Sequence, residues 1–300
     1  MAFKSVNDVK YVKTPRLSTN IPELDWIYGG EGGTWGLPKG MISLWSGPSG
    51  CGKSRSLITL SREMSQAGNK VIYFQNEVNE SSFRGWMGAG KLPPTFYVSE
   101  ETYLEKQLKD IKDSGANLAI IDSISQMKEF KTGHEVNVRH IYSRYREMCK
   151  RTGVHVIFIC QLNSSYKIKG SSEILYLADI SVDLDRHFVD KRIVKNHFTI
   201  GINGRNGGKH RYGQMGDDIT TLWKYSKYGA SCLSDNRDMD EAWCDAHGIP
   251  LQMRLSSVPE VTMQSPKGYL DSGFVDPVSG KMFFDMDENF HGKRGKLVCK

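Results

Sequence analysis

Between residues 41 and 160 the apolar positions of this chain fall into short closed runs, separated by stretches in which apolar residues recur at helical spacing. "MISLWS" (41–46) is the first run, and it ends in a glycine-rich loop. The next stretch predicts a helix, with Leu57, Leu60, Met64 and Ala67 on one face and Gly68 as its stop. "VIYF" (71–74) and "TFYVSE" (95–100) read as strands. Residues 102–114 return to helical spacing through Leu104, Leu108 and Ile111, and stop at Gly115. "LAII" (118–121) is a third apolar run and ends at Asp122. A helix over about 135–151 would align Val138, Ile141, Tyr145 and Met148, with Gly153 closing it. "VHVIFIC" (154–160) is too apolar to keep a wet face. Closed runs alternating with helices predict an α/β fold whose mainly parallel sheet is flanked by helices on both faces.

Beyond residue 180 the pattern changes. "DISVDLD", "RIVKNHFTIGI" and "HRYGQM" read as strands joined by turns, with Asn203-Gly204 and Gly207-Gly208 supplying turn chemistry. An antiparallel extension of the sheet is the expected result. Residues 229–300 read as a small C-terminal accessory region, with a short helix near 236–247 and a hairpin in "FVDPVSGKMFFD". The expected organisation is therefore an arm over 1–20, a core over 21–228 and the accessory region.

Composition narrows this picture little. A hydrophobic fraction of 39% supports a real core, and no apolar run approaches the roughly 20 residues of a membrane span. The N-terminal stretch lacks the apolar region of a signal peptide, so a cytoplasmic protein with no membrane partner is expected. Cysteines 51, 149, 160, 232, 244 and 299 form no CxxC pair, in keeping with reduced thiols. Cys232, Cys244, His247, His291 and Cys299 match no common zinc spacing. A net charge of +6 fits a solvated basic surface as well as a nucleic-acid partner.

The chemistry is concentrated in one octapeptide. Gly47-Pro48-Ser49-Gly50-Cys51-Gly52-Lys53-Ser54 fits G-x-x-x-x-G-K-S/T between a strand and an amphipathic helix. There, backbone N–H groups and the helix N-terminus cradle phosphate, Lys53 neutralises its oxygens and Ser54 offers a hydroxyl to Mg²⁺. Asp122, at the end of an apolar strand, is the candidate second metal acid. Glu77 also comes after a strand, so it either faces the same crevice as a water-orienting base or is a solvated loop acid. Gln161 follows the run "VHVIFIC" and is placed to sense the same phosphate.

"RLSTNIPELDWIYGGEGGTWGLPKGMISLWSGPSGCGKS", "FYVSEETYLEKQLKDIKDSGANLAIIDSISQM" and "TGVHVIFICQLNSSYKIKGSSEILYLADISVDLD" together resemble the RecA/RadA superfamily of ATPases, over about residues 17–225. The Ile-Asp-Ser string is closest to the bacterial RadA branch. The resemblance implies a RecA-like P-loop core using ATP and Mg²⁺, with Glu77 as catalytic glutamate, Asp122 as the Walker B acid and Gln161 coupling phosphate state to DNA loops. It implies two such loops, at 126–137 and 163–172, where Lys128, Phe130, Lys131, Tyr166, Lys167 and Lys169 would meet single-stranded DNA. It also implies an arginine acting across a subunit interface of a hexameric ring or helical filament. The literal family string is "KNHF" (195–198), with His197 in place of arginine. Since 197–202 reads as continuous strand, the preferred register puts Arg205 in the turn after it, with Lys195 and Arg211 behind. The implied activity is that of an ATP-dependent motor or recombinase on DNA. A DnaB-type helicase and a KaiC-like nucleotide-gated scaffold are the alternatives.

Overall fold

A computed structural model of the chain describes residues 14–31, 34–86, 92–131, 135–163, 173–189, 191–202, 219–226, 229–232, 261–264, 270–275, 282–284 and 296–297. Its main sheet is built, in chain order, from β1 (Ile42–Pro48), β2 (Val71–Gln75), β3 (Phe96–Ser99), β4 (Leu118–Asp122), β5 (His155–Leu162), β6 (Ile180–Val189), β7 (Arg192–Ile202), β8 (Ile219–Ser226) and β9 (Gly229–Cys232). Across the sheet the order is β9-β8-β7-β6-β1-β5-β4-β2-β3. The strands from β6 to β3 run parallel, while β7, β8 and β9 continue the sheet antiparallel. The mainly parallel α/β sheet and its antiparallel extension are thus as expected.

The long helices are α1 (Lys53–Gln66), α2 (Leu104–Ser114) and α3 (Glu135–Thr152). Ile42, Leu44, Ile72, Phe74, Ile121 and Phe158 share one buried cluster with Leu108 and Ile111 of α2 and Ile141 and Tyr145 of α3. The alternate strand residues Trp45, Tyr73, Ile120 and Ile157 are equally buried on the opposite face. Both faces of the parallel strands are dry, which is why their sequences show no alternation. α2 closes at Gly115, whose φ of 62° lets its N–H turn back to the carbonyl of Lys112.

Residues ahead of β1 are fastened to the core by polar groups. Arg16 Nη1 donates to the carbonyls of Tyr28, Gly29 and Gly36 at 2.8–2.9 Å, and Asp25 accepts from the Thr19 N–H and the Ser18 hydroxyl. Trp45 Nε1 donates to the Tyr28 hydroxyl at 2.7 Å. Asp179 ties the start of β1: it accepts from the Ile42 N–H at 3.0 Å and from Arg146 at 2.8 Å.

The contacts divide the chain into two units, Met1–Cys232 and Leu233–Lys300. In the second, an antiparallel sheet runs Met282–Phe284, Leu270–Val275, Val261–Gln264, Lys296–Leu297. The expected hairpin is present, with Phe274 opposite Phe283 and Val275 opposite Met282. The expected strand "HRYGQM" and helix 236–247 lie outside the described residues, as do Cys244, His247, His291 and Cys299.

His155 sits fully buried at the start of β5, between the Pro38 carbonyl (Nδ1, 2.7 Å) and the Ser43 hydroxyl (Nε2, 2.8 Å). A carbonyl only accepts, so Nδ1 carries the proton and Nε2 accepts from Ser43. Burial holds this ring's pKa down to about 4, against an ordinary 6.5. With the folded pKa depressed, the unfolded chain binds the extra proton first. The contribution is fully present above pH 6.5 and is lost as pH falls toward 4. Unfolding free energy should therefore rise across that window by up to about 3 kcal/mol from this residue. Urea titrations at several pH values check it: His155→Gln should flatten the rise whatever its absolute stability, and an unchanged slope would refute the assignment.

Candidate functional site

β1, β5, β4 and β2 end at the same edge of the sheet, and their register sets the site. Gly47 lies opposite Gln161, and Gln75 opposite Asp122. The loop from Gly47 leads directly into α1, whose first residue is Lys53. Lys53 Nζ donates to the carbonyls of Gly47 (2.7 Å) and Pro48 (2.8 Å) and lies 3.7 Å from Cys51 Sγ. Those contacts match the three donors of an ammonium. Cys51 is buried, and burial pushes its thiol pKa up, so it sits there as a neutral packing group.

Strands β6 and β7 form the wall of this loop. A Cβ on Gly47 would collide with the Leu184 carbonyl oxygen and stand 2.8 Å from Cys51 Sγ. Gly52 has φ 97°, and a Cβ there would meet the Phe198 ring at 3.0 Å. Phe198 is itself buried and stacked on Trp223. Arg186 Nη2 donates to the Ser49 carbonyl at 2.7 Å, and Ser46 bonds Asp183.

Asp122 joins three elements. Its Oδ2 accepts from the Ser54 hydroxyl and from the Tyr73 hydroxyl, each at 2.7 Å. Burial raises its pKa to about 6; the two hydroxyl bonds oppose the shift, the nearby Glu77 charge adds to it and Lys53 opposes it. The Asp122–Ser123 peptide is cis. Glu77 rides on a turn clamped by Gln75, whose side-chain amide bonds both the N–H and the carbonyl of Val78. The Asn76 N–H donates to the Asp122 carbonyl at 2.9 Å, locking that turn to β4.

One cleft is lined by Ser49, Gly50, Gly52, Lys53, Ser54, Glu77, Asp122 and Gln161, together with Arg55, Trp86, Ser123 and Ile159. The structure thus brings together the loop, both acids and the glutamine singled out in the sequence. Sequence reasoning missed Tyr73, Arg55 and Trp86. Tyr73 had a legible signal, a phenol inside a strand too buried to leave its hydroxyl unpaired. Ser54 and Asp122 offer hard oxygen donors side by side, which suits Mg²⁺.

The other expected site residues are not gathered here. Lys128 starts the helical turn Lys128–Lys131, and its ammonium lies 5.9 Å from the Tyr103 ring centroid. Next to it, the Glu129 carboxylate accepts from the Leu104 N–H and so caps α2. Part of the expected loop segment 126–137 is helical, in Lys128–Lys131 and from Glu135 onward. The side chains of Phe130 and Lys131 lie outside the described residues, as do Tyr166, Lys167, Lys169, Arg205 and Arg211. His197 is within β7, opposite Lys224 of β8.

Comparison with known proteins gives the site a family. The AAA domain family matches residues 5–165, more than half of the chain. A DNA repair protein RadA from Halalkalibacterium halodurans is 28% identical over 203 residues, covering 64% of this chain and 43% of that protein. The RadA protein of Campylobacter jejuni is 24% identical over 215 residues, covering 69% and 46%. That of Bacillus subtilis is 24% identical over 204 residues, covering 64% and 43%. The chain spans less than half the length of these relatives.

The glycines of the loop carry a graded expectation. Gly50 has φ 73° with nothing within 4 Å of an added Cβ, so Gly50→Ala should cost about 1 kcal/mol from backbone strain alone. Gly47→Ala and Gly52→Ala meet neighbours that cannot withdraw, and each should cost roughly 2–4 kcal/mol. Chemical denaturation of the three variants measures this, and equal losses would contradict the wall formed by β6 and β7.

Proposed function

This chain belongs to the AAA domain family and carries a P-loop ATPase core of RecA/RadA type, and on that premise we propose a DNA-dependent ATPase of recombination or repair. The observation that carries the reading is the 2.7 Å contact between Ser54 and Asp122 in a cleft that also holds Lys53, Glu77 and Gln161. Loop N–H groups and Lys53 bind the triphosphate. Ser54 and Asp122 would hold Mg²⁺, which when bound supplies neutralising charge at the β and γ oxygens. Glu77, on its clamped turn, orients and deprotonates the attacking water. Gln161, beside the loop across the β1–β5 ladder, reports phosphate occupancy to the segment after β5. Arg205 acts on the ATP of a neighbouring copy in a ring or filament. The segments 126–137 and 163–172 contact single-stranded DNA, and the DNA repair name carried by the similar proteins supports that partner.

ATP turnover measured with and without single-stranded DNA, at two salt concentrations, tests the reading. DNA should raise the rate, and the effect should fade with salt, with DNA affinity falling at a log–log slope of roughly 0.7 per phosphate contacted. Glu77→Gln should bind ATP normally and lose at least about 100-fold in kcat. Arg205→Ala should lose turnover only in the assembled state. A rate indifferent to DNA would assign the chain to nucleotide-gated scaffolds instead, and a Glu77→Gln enzyme at full rate would remove the base.

A further inference from the structure

The phosphate end of the cleft is made of N–H donors, an ammonium, a hydroxyl and two carboxylates. Its rim carries something of different chemistry. Trp86 is the one aromatic side chain among the described residues lining the cleft, and it is half-buried. The guanidinium carbon of Arg55, the residue after Ser54, lies 4.7 Å from the indole centroid, and Arg55 Nη1 reaches the Trp86 carbonyl at 3.4 Å.

The pair is held from behind by a column of rings. Trp86 packs on Phe83 at 6.3 Å, and the fully buried Phe83 packs on Tyr73 at 4.8 Å. Tyr73 in turn donates its hydroxyl to Asp122. The helix Glu80–Trp86 that presents the indole is capped at its start, Asn79 accepting from the Ser82 N–H at 2.8 Å. The indole is therefore fixed relative to the phosphate loop before any ligand arrives.

A triphosphate has no use for a flat apolar surface. A heteroaromatic base does: it stacks on indole and on guanidinium alike, and guanidinium is weakly hydrated enough to be covered without large cost. From this geometry we propose that Trp86 and Arg55 form the platform on which the purine of the bound nucleotide stacks. The proposal rests on reading the cleft as a nucleoside-triphosphate site. It adds a base-binding end to a site whose other proposed roles address phosphate, metal or water.

Comparing a ligand that has a base with one that lacks it tests the platform. Calorimetric titration of the full chain with magnesium-ATP and with magnesium-tripolyphosphate should show Trp86→Ala weakening ATP by roughly 10- to 100-fold, the span of base–aromatic stacking. Tripolyphosphate affinity should stay within about twofold, since stacking involves no phosphate. Trp86→Phe keeps a ring and should hold ATP within about threefold. Indole quenching by ATP should be present in the parent protein, absent with tripolyphosphate and lost in Trp86→Phe. Arg55→Gln should likewise weaken ATP more than tripolyphosphate. Equal weakening of both ligands by Trp86→Ala or Arg55→Gln would make the pair a phosphate contact and overturn the platform, as would unchanged ATP affinity in Trp86→Ala. A parent protein that binds neither ligand would overturn the nucleotide reading and the platform together.

Discussion

The carboxylate of Asp122 is where the architecture of the site closes. It is buried at the end of a parallel strand, and an acid so placed must be met by donors or give up its charge. Two hydroxyls meet it, Ser54 from the first turn of α1 and Tyr73 from β2. Each hydroxyl comes from a different element, so the one oxygen fixes the separation of phosphate loop, acid and Glu77 turn. Burial outweighs those donors and raises its pKa to about 6. An acid in that condition gains from a cation beside it, which is the electrostatic reason the position suits Mg²⁺.

The loop is held on its other side by strands that belong to no phosphate-binding motif. Leu184 and Phe198 stand where side chains on Gly47 and Gly52 would go, and Arg186 bonds the Ser49 carbonyl. The glycines are therefore needed twice over: Gly52 for its positive φ, and both Gly47 and Gly52 because a wall from β6 and β7 leaves no room. This couples the antiparallel extension to the ligand loop mechanically. Repacking around Phe198 and Trp223 would reach the loop backbone without any change to the motif itself.

Much of this was legible in the sequence for one reason. Strands dry on both faces give closed apolar runs, and the chemistry at their carboxyl ends lies in the first polar residues past each run. Gly47 to Ser54, Glu77, Asp122 and Gln161 all follow such runs, and the cleft is lined by Ser49, Gly50, Gly52, Lys53 and Ser54 of the loop with both acids and the glutamine. Tyr73, Arg55 and Trp86 were not legible, because their partners are set by register and ring packing rather than by spacing. Whether Tyr73 reaches Asp122 depends on β2 lying beside β4 with Gln75 opposite the acid. Lys128 shows another feature that spacing does not carry. It starts a helical turn, beside a glutamate that caps α2. A one-residue cap contact across 25 positions of sequence leaves no periodic trace.

The place of β5 in the sheet carries a mechanical consequence for the proposed function. It lies between the strand that ends in the phosphate loop and the strand that ends in Asp122, so Gln161 is flanked by both halves of the site. The ladder pairs Gln161 with Gly47, the first residue of the loop, and β5 is almost entirely buried from His155 to Leu162. Close-packed strands respond to a push by moving together rather than by bending, because voids that would absorb the motion are absent. In the proposed function, a shift of the loop on phosphate binding would be carried across one ladder to Gln161, toward the chain segment that follows it. Among the described strand ends in the cleft, β5 alone adjoins the loop through a parallel ladder and also leads into a segment expected to meet DNA. That makes β5 the shortest physical link between the nucleotide and the work proposed for it.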